Sequence, residues 1–194
     1  MSQQLIFIDG PYGCGKTTII DSLRAIIATS GADAAVVDEE FLNDGSCLPP
    51  GAIRGVKWMA DLVARGLRSR KQKIFFDGSP LAGVVYRKMS LGIGIADLFF
   101  QELEEMGYDV ALLYLDIPAE QRWAQVTARL ERAAPDELLQ RNGLDESDRL
   151  HFDVIGALFT EGYNHVVSAR PDMARHRYEV AEDLLAKCLI MLSN

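Results

Sequence analysis

No apolar run in this 194-residue chain reaches the roughly 20 residues that a membrane-spanning helix requires. The longest candidates, Leu5 to Ile8 and Val110 to Leu115, are strand-sized. No basic segment precedes a long apolar stretch near the start, so a secretory leader is not expected and the cytoplasm is the default location. Cysteine is scarce: Cys14, Cys47 and Cys188 cannot all pair and show no metal-ligand spacing. His151, His165 and His176 stand apart from one another, which argues against a zinc site. Positive charge is also short. The net charge of −8 sets a field that repels a nucleic-acid backbone or an anionic membrane surface. One dense basic run, Arg65, Arg68, Arg70, Lys71 and Lys73, departs from that balance, and its simplest reading is a helix end whose cations suit the helix dipole. No internal repeat or domain linker is visible.

What is present fits one soluble domain: 48% of residues are hydrophobic and 25% charged. Apolar runs of strand length alternate with segments of helical period. Strands are expected at Leu5–Ile8, Ala34–Val37, Lys73–Phe76, Asp109–Leu115 and His165–Val167. Between them, Ile19, Ile20, Leu23, Ile26 and Ile27 fall on one helical face, as do Val56, Met59, Ala60, Val63 and Leu67. Further helices are expected over Leu98–Met106, after Pro118 with Trp123, Val126 and Leu130 turned inward, from about Asp148 to Thr160, and from about Arg175 to Leu192. This alternation predicts an α/β fold, a five-stranded parallel sheet with helices on both faces. The polar stretch Ala133–Ser147 is a candidate lid.

The most specific feature is Gly10-Pro11-Tyr12-Gly13-Cys14-Gly15-Lys16-Thr17, which fits G-x-x-x-x-G-K-[ST]. It lies between an expected strand and an amphipathic helix, the context in which the pattern has physical meaning. Glycines let backbone N–H groups turn inward around phosphate oxygens, and the following helix adds its positive end. The expected ligand is ATP, held by Gly10, Tyr12, Gly13, Cys14, Gly15, Lys16, Thr17 and Thr18, with Cys14 contributing backbone only. Lys16 would reach the β and γ phosphates and the Thr17 hydroxyl would ligate Mg²⁺.

Ligands of an open parallel sheet bind outside the carboxyl ends of its strands. Asp9, Asp38, Glu39, Glu40, Asp77 and Asp116 all lie at such ends. Asp77 closes the apolar run Ile74-Phe75-Phe76 and resembles a Walker B acid, a candidate second ligand of Mg²⁺. Asp38, Glu39, Glu40 and Asp77 are the candidates to orient an acceptor hydroxyl. Arg122, Arg129, Arg132 and Arg141 lie in or beside the candidate lid, where guanidinium suits the charge on a transferring phosphoryl group. Arg129 and Arg132 are spaced to face one site from a helix. Tyr12, Trp58 and Phe41 are candidates to stack on a base.

With these residues in place, the sequence resembles the thymidylate kinase and deoxynucleoside kinase group of P-loop kinases. The Asp-Arg-Tyr segment of thymidylate kinases is matched by Asp77-Gly78-Ser79, their Ala-Tyr-Gln helix by Val85-Tyr86-Arg87, and their Leu-Asp-Val-Pro by Leu115-Asp116-Ile117-Pro118. Phe152 and Tyr163 match a later Phe and Tyr. The resemblance implies a lid and a homodimer, and places adenine after the fifth strand near Arg170-Pro171-Asp172. Two departures bear on the acceptor. Tyr12 stands where thymidylate kinases carry a carboxylate for the sugar 3′-hydroxyl, and Gly78 where they carry an arginine for the acceptor phosphate. The acids after the second strand resemble instead those that activate a sugar hydroxyl in deoxynucleoside kinases.

The expected activity is therefore ATP- and Mg²⁺-dependent phosphoryl transfer to a nucleoside or nucleoside monophosphate. One alternative, from related phage enzymes, is phosphorylation of 5-hydroxymethyluracil within DNA, where the sugar and phosphates are already esterified and the basic run would track the backbone. Another is a nucleotide-binding protein without turnover. No Asn-Lys-x-Asp guanine-reading segment is present.

Overall fold

A computed structural model of the chain describes residues 3–38, 52–86, 92–132, 148–173 and 176–193, with backbone alone for 52–58 and 86. Glu39, Glu40, Phe41, Cys47, Arg87, Arg141 and the candidate lid 133–147 lie outside the described residues, as does the side chain of Trp58.

Buried β-branched and aromatic runs form the strands and amphipathic stretches form the helices. In chain order these are β1 (Gln4–Asp9), α1 (Lys16–Ser30), β2 (Ala34–Val37), α2 (Ala52–Arg68), β3 (Lys73–Asp77), α3 (Pro80–Tyr86) and α4 (Gly94–Glu105). Then follow β4 (Asp109–Leu115), α5 (Ala119–Leu130), α6 (Arg149–Ala169), β5 (His176–Tyr178) and α7 (Ala181–Ser193). The five strands form one parallel sheet in the order β2-β3-β1-β4-β5. Leu5 on β1 pairs with Ile74 on one side and Val110 on the other. Among the described residues, no helix is long and apolar enough to cross a membrane.

Strand side chains alternate between two apolar layers, as a sheet covered on both faces requires. Leu5, Phe7, Ile74, Phe76, Leu112 and Tyr114 pack with Met59, Leu81, Phe100 and Phe159 from α2, α3, α4 and α6. Ile6, Ile8, Phe75, Leu113 and Leu115 pack on the other face with Ile19, Ile20 and Leu23 of α1 and Leu184 and Cys188 of α7. Phe7 stacks on Phe76 at 4.7 Å and meets Phe100 edge-on at 5.5 Å, which centres the first layer on β1.

The fifth strand differs from the sequence expectation. His165–Val167 belongs to α6, whose buried residues Phe152, Ile155, Phe159, Tyr163 and Val166 keep a helical period through that segment. The strand is His176-Arg177-Tyr178, too short and too polar to show an apolar run, and among the described residues it pairs with Leu113–Leu115. The terminal helix accordingly begins at Ala181 rather than near Arg175. On α5 the fully buried residues are Arg122 and Val126, with Trp123 half-buried rather than turned to the core.

Candidate functional site

β1 ends in Asp9, and the chain turns through Gly10–Gly15 into α1 at Lys16. Gly10 and Gly13 have φ of 155° and 79°, values that side-chain-bearing residues rarely adopt. Space is equally restrictive. A Cβ on Gly10 would lie 2.3 Å from the Leu115 carbonyl oxygen, and one on Gly13 would lie 2.8 Å from that of Arg122. The loop is thus pressed between the end of β4 and the flank of α5. Thr17 and Thr18 are exposed in the first turn of α1, at the positive end of the helix dipole, with the Thr18 N–H donating to the Gly15 carbonyl at 3.1 Å. Lys16 Nζ curls back to donate to the Gly10 carbonyl at 2.7 Å, closing the loop on itself. Cys14 is buried with its thiol pushed up by burial, consistent with a backbone role.

The carboxyl end of β3 adjoins this loop. Ile8 pairs with Asp77, and Gly78 N–H donates to the Ile8 carbonyl at 2.8 Å. Burial pushes the Asp77 carboxyl above its ordinary range; Lys16 opposes the shift, Asp38 adds to it, and Arg24 opposes it. These influences place Asp77 within the field of Lys16, Asp38 and Arg24. Asp38, at the end of β2, is exposed and ion-paired with Arg24 of α1. Its carbonyl accepts from the Arg65 guanidinium at 3.1 Å. Arg24 also holds Asp21 at 2.8 Å.

Beneath the loop lies a group that the sequence reading placed at a strand end but gave no role. Asp9 is fully buried, with one oxygen accepting from Gly10 N–H at 2.8 Å and the other from the Ser79 hydroxyl. Ser79 Oγ also accepts from Leu81 N–H at 3.0 Å, capping α3. Burial pushes the Asp9 carboxyl up to about 6 against the opposing Lys16 charge and the Ser79 and Gly10 hydrogen bonds. A carboxylate therefore ties the first glycine of the loop to the Asp77-Gly78-Ser79 turn.

The arginines separate into different roles. Arg122 is only 5% exposed. Its Nε donates to the Ile117 carbonyl at 2.9 Å, and a terminal nitrogen donates to the Tyr12 carbonyl at 3.1 Å. Its guanidinium lies 4.7 Å from the Phe152 ring centroid and over Gly156, where a Cβ would come within 2.7 Å of it. Arg122 is thus built into the wall behind the loop. Nothing in sequence marks a buried arginine, a residue normally exposed. Arg129 sits on the half-exposed side of α5 with its guanidinium 4.7 Å from the Tyr12 ring centroid. Arg132 follows the helix and is exposed.

Two expectations are displaced. Asp116, at the end of β4, is ion-paired with Arg177 and fastens β5. Arg170 was expected after the fifth strand, beside an adenine. It instead precedes β5 at the edge where the strands begin, opposite the loop, ion-paired with Asp97 at 2.7 Å and with Glu104 of α4. The error follows from the misplaced fifth strand. Of the dense basic run, Lys71 pairs with Asp33 at 3.1 Å, Lys73 donates to the Leu192 carbonyl at 3.4 Å, and Arg65 reaches Asp38.

The chain matches no family model and no curated protein. Among solved structures it is similar to a deoxyadenosine kinase from M. mycoides determined with bound dATP. The two share 13% identity and a TM-score of 0.54 over 98% of this chain and 100% of that one. The likeness is one of fold, a five-stranded parallel sheet with helices on both faces.

Proposed function

We propose that the chain is an ATP- and Mg²⁺-dependent phosphotransferase whose acceptor is a nucleoside or nucleoside monophosphate. The observation that carries this reading is the meeting of a glycine loop, Lys16 and a desolvated Asp77 at the carboxyl ends of β1 and β3. The loop fits a polyphosphate: Gly10 and Gly13 leave no room for Cβ atoms, and Lys16 already bends over it. Thr17 and Asp77 would hold Mg²⁺, an ion that takes its remaining ligands from phosphate and water. The similarity in fold to a deoxyadenosine kinase bound to dATP supports the same reading.

In the proposed mechanism, Lys16 leaves the Gly10 carbonyl and bonds phosphate oxygens. Asp77 orients the acceptor side of the site, with Asp38 fixed beside it by Arg24. Glu39 and Glu40 remain candidates for the same task. Arg129 and Arg132 offset charge on the transferred group from the direction of α5. The nucleophile is then placed and the charge met by fixed donors, which is most of what phosphoryl transfer asks of a protein. A homodimer and a cytoplasmic setting belong to this reading.

The test is transfer of label from γ-labelled ATP in the presence of Mg²⁺. Nucleosides, nucleoside monophosphates, and DNA with and without 5-hydroxymethyluracil are offered as acceptors. Label in a free nucleotide is the expected result, and Lys16→Ala should abolish it while leaving the circular dichroism spectrum unchanged. Label retained on modified DNA would transfer the activity to that acceptor. ATP binding without label on any acceptor would leave a binding protein. The engagement of Arg65, Lys71 and Lys73 by groups of the chain itself weighs against a backbone-tracking strip.

A further inference from the structure

Tyr12 stands in the phosphate loop where thymidylate kinases carry a carboxylate, and its environment shows what it does in that place. Three successive contacts dock this arm of the loop on α5. The Tyr12 carbonyl accepts from the buried Arg122 guanidinium at 3.1 Å. Gly13 lies so close to α5 that a Cβ would meet Val126 Cγ2 at 2.7 Å and the Arg122 carbonyl at 2.8 Å. The Tyr12 ring lies under the Arg129 guanidinium at 4.7 Å. Its hydroxyl is buried with no hydrogen-bond partner among the described residues, so the ring face, not the phenol, makes the productive contact. Arg122 is in turn held by the Ile117 carbonyl, by the Phe152 ring and by the gap at Gly156. The assembly has a buried rear support in Arg122 and a half-exposed cation in Arg129, with Tyr12 joining the two.

We propose that Tyr12 is a positioning residue that couples α5 to the phosphate loop, its ring fixing the Arg129 guanidinium beside the loop while Arg122 anchors its carbonyl from behind. The inference rests on the phosphotransferase reading for its effect on turnover, but the coupling itself is a property of the nucleotide-free protein. An arginine with many rotamers is costly to immobilise, and a flat aromatic partner reduces that freedom before any phosphate arrives.

Two measurements on the full chain test the proposal. Hydrogen–deuterium exchange is followed at Val126–Leu130 and at Tyr12–Cys14 without nucleotide. Tyr12→Leu should speed exchange in the last turns of α5 by about fivefold, the loss of one cation–π contact. The conservative Tyr12→Phe should rescue the slow exchange. Arg129→Gln, on a half-exposed helix face, gives the reciprocal measurement at the loop should Tyr12→Leu fail to fold. Steady-state kinetics then compare Tyr12→Leu, Arg129→Ala and the double variant. A loss in kcat of about tenfold to a hundredfold with acceptor KM little changed is expected, and the double variant should be no worse than Arg129→Ala alone. Unchanged exchange in both single variants, or losses that multiply in the double variant, would overturn the proposal. Absence of turnover in the wild-type protein would refute the kinase reading instead, leaving the exchange data to decide the coupling.

Discussion

Asp9 shows how one residue can be visible in a sequence while its role is not. Its place at a strand end was plain from Leu5-Ile6-Phe7-Ile8, but its hydrogen-bond partner Ser79 arrives from the turn after β3, far along the chain. The folded carboxyl titrates at about 6, above the ordinary 3.8. The folded state therefore keeps a proton that the unfolded state has lost, and stability falls as pH rises between those values. The gap corresponds to about 3 kcal/mol once pH exceeds 6. Asp9→Asn removes this titration. Urea unfolding at a series of pH values should give a stability difference, variant minus wild type, that grows from pH 4 to pH 6 in favour of the variant. A difference independent of pH would show that Asp9 titrates normally. For Lys16 and Thr17, by contrast, the sequence pattern itself proposes a task, because the whole octapeptide fits a known phosphate-binding pattern.

At the scale of elements, segments with an apolar run or a clear period were legible, down to the four residues of β2, and the polar β5 was not. α1, β3 and β4 follow directly from their apolar periods. β5 does not, because three residues along one side of a sheet need only backbone partners, and His176-Arg177-Tyr178 supplies those without an apolar run. The union of α5, α6 and the loop was equally hidden, since it turns on Gly156 leaving space for Arg122. Gly156→Ala would push a methyl group against that guanidinium, with an expected loss of about 1–3 kcal/mol. Because Arg122 holds the Tyr12 carbonyl, ATP affinity should fall as well. Gly162→Ala makes a useful comparison: its Cβ would strike Leu81 Cδ1 at 2.2 Å, in the core. Thermal melts should show both variants destabilised, while calorimetry with ATP should show weakened binding only for Gly156→Ala.

For the whole molecule, the sheet order was not readable from the strands alone, but the class of fold was. Alternation of strands and helices called for a parallel sheet, and in such sheets ligands as a rule bind beyond the carboxyl ends. The substrate could not be read in the same way, because the octapeptide pattern bears on a polyphosphate and carries nothing about the group that would accept the phosphoryl. A global consequence of the loop can be measured without knowing the acceptor. ATP with Mg²⁺ at about a hundred times its Kd should stabilise the fold by about 2.7 kcal/mol, raising Tm by about 5–10 °C. Lys16→Ala should melt near the ligand-free temperature in either condition. An equal rise in both proteins would place the nucleotide elsewhere.

The central position of β1 also governs how the chain comes together on the ribosome. Its two neighbours, β3 and β4, are synthesised much later, so Leu5–Ile8 waits unpaired until Ile74 and then Val110 emerge. An apolar, β-prone run is exposed throughout that delay, and closing such distant pairs is slow. The strand that carries the glycine loop is thus made before both of its neighbours, and a nascent chain stalled before β4 presents it to whatever chaperone or aggregate it meets first.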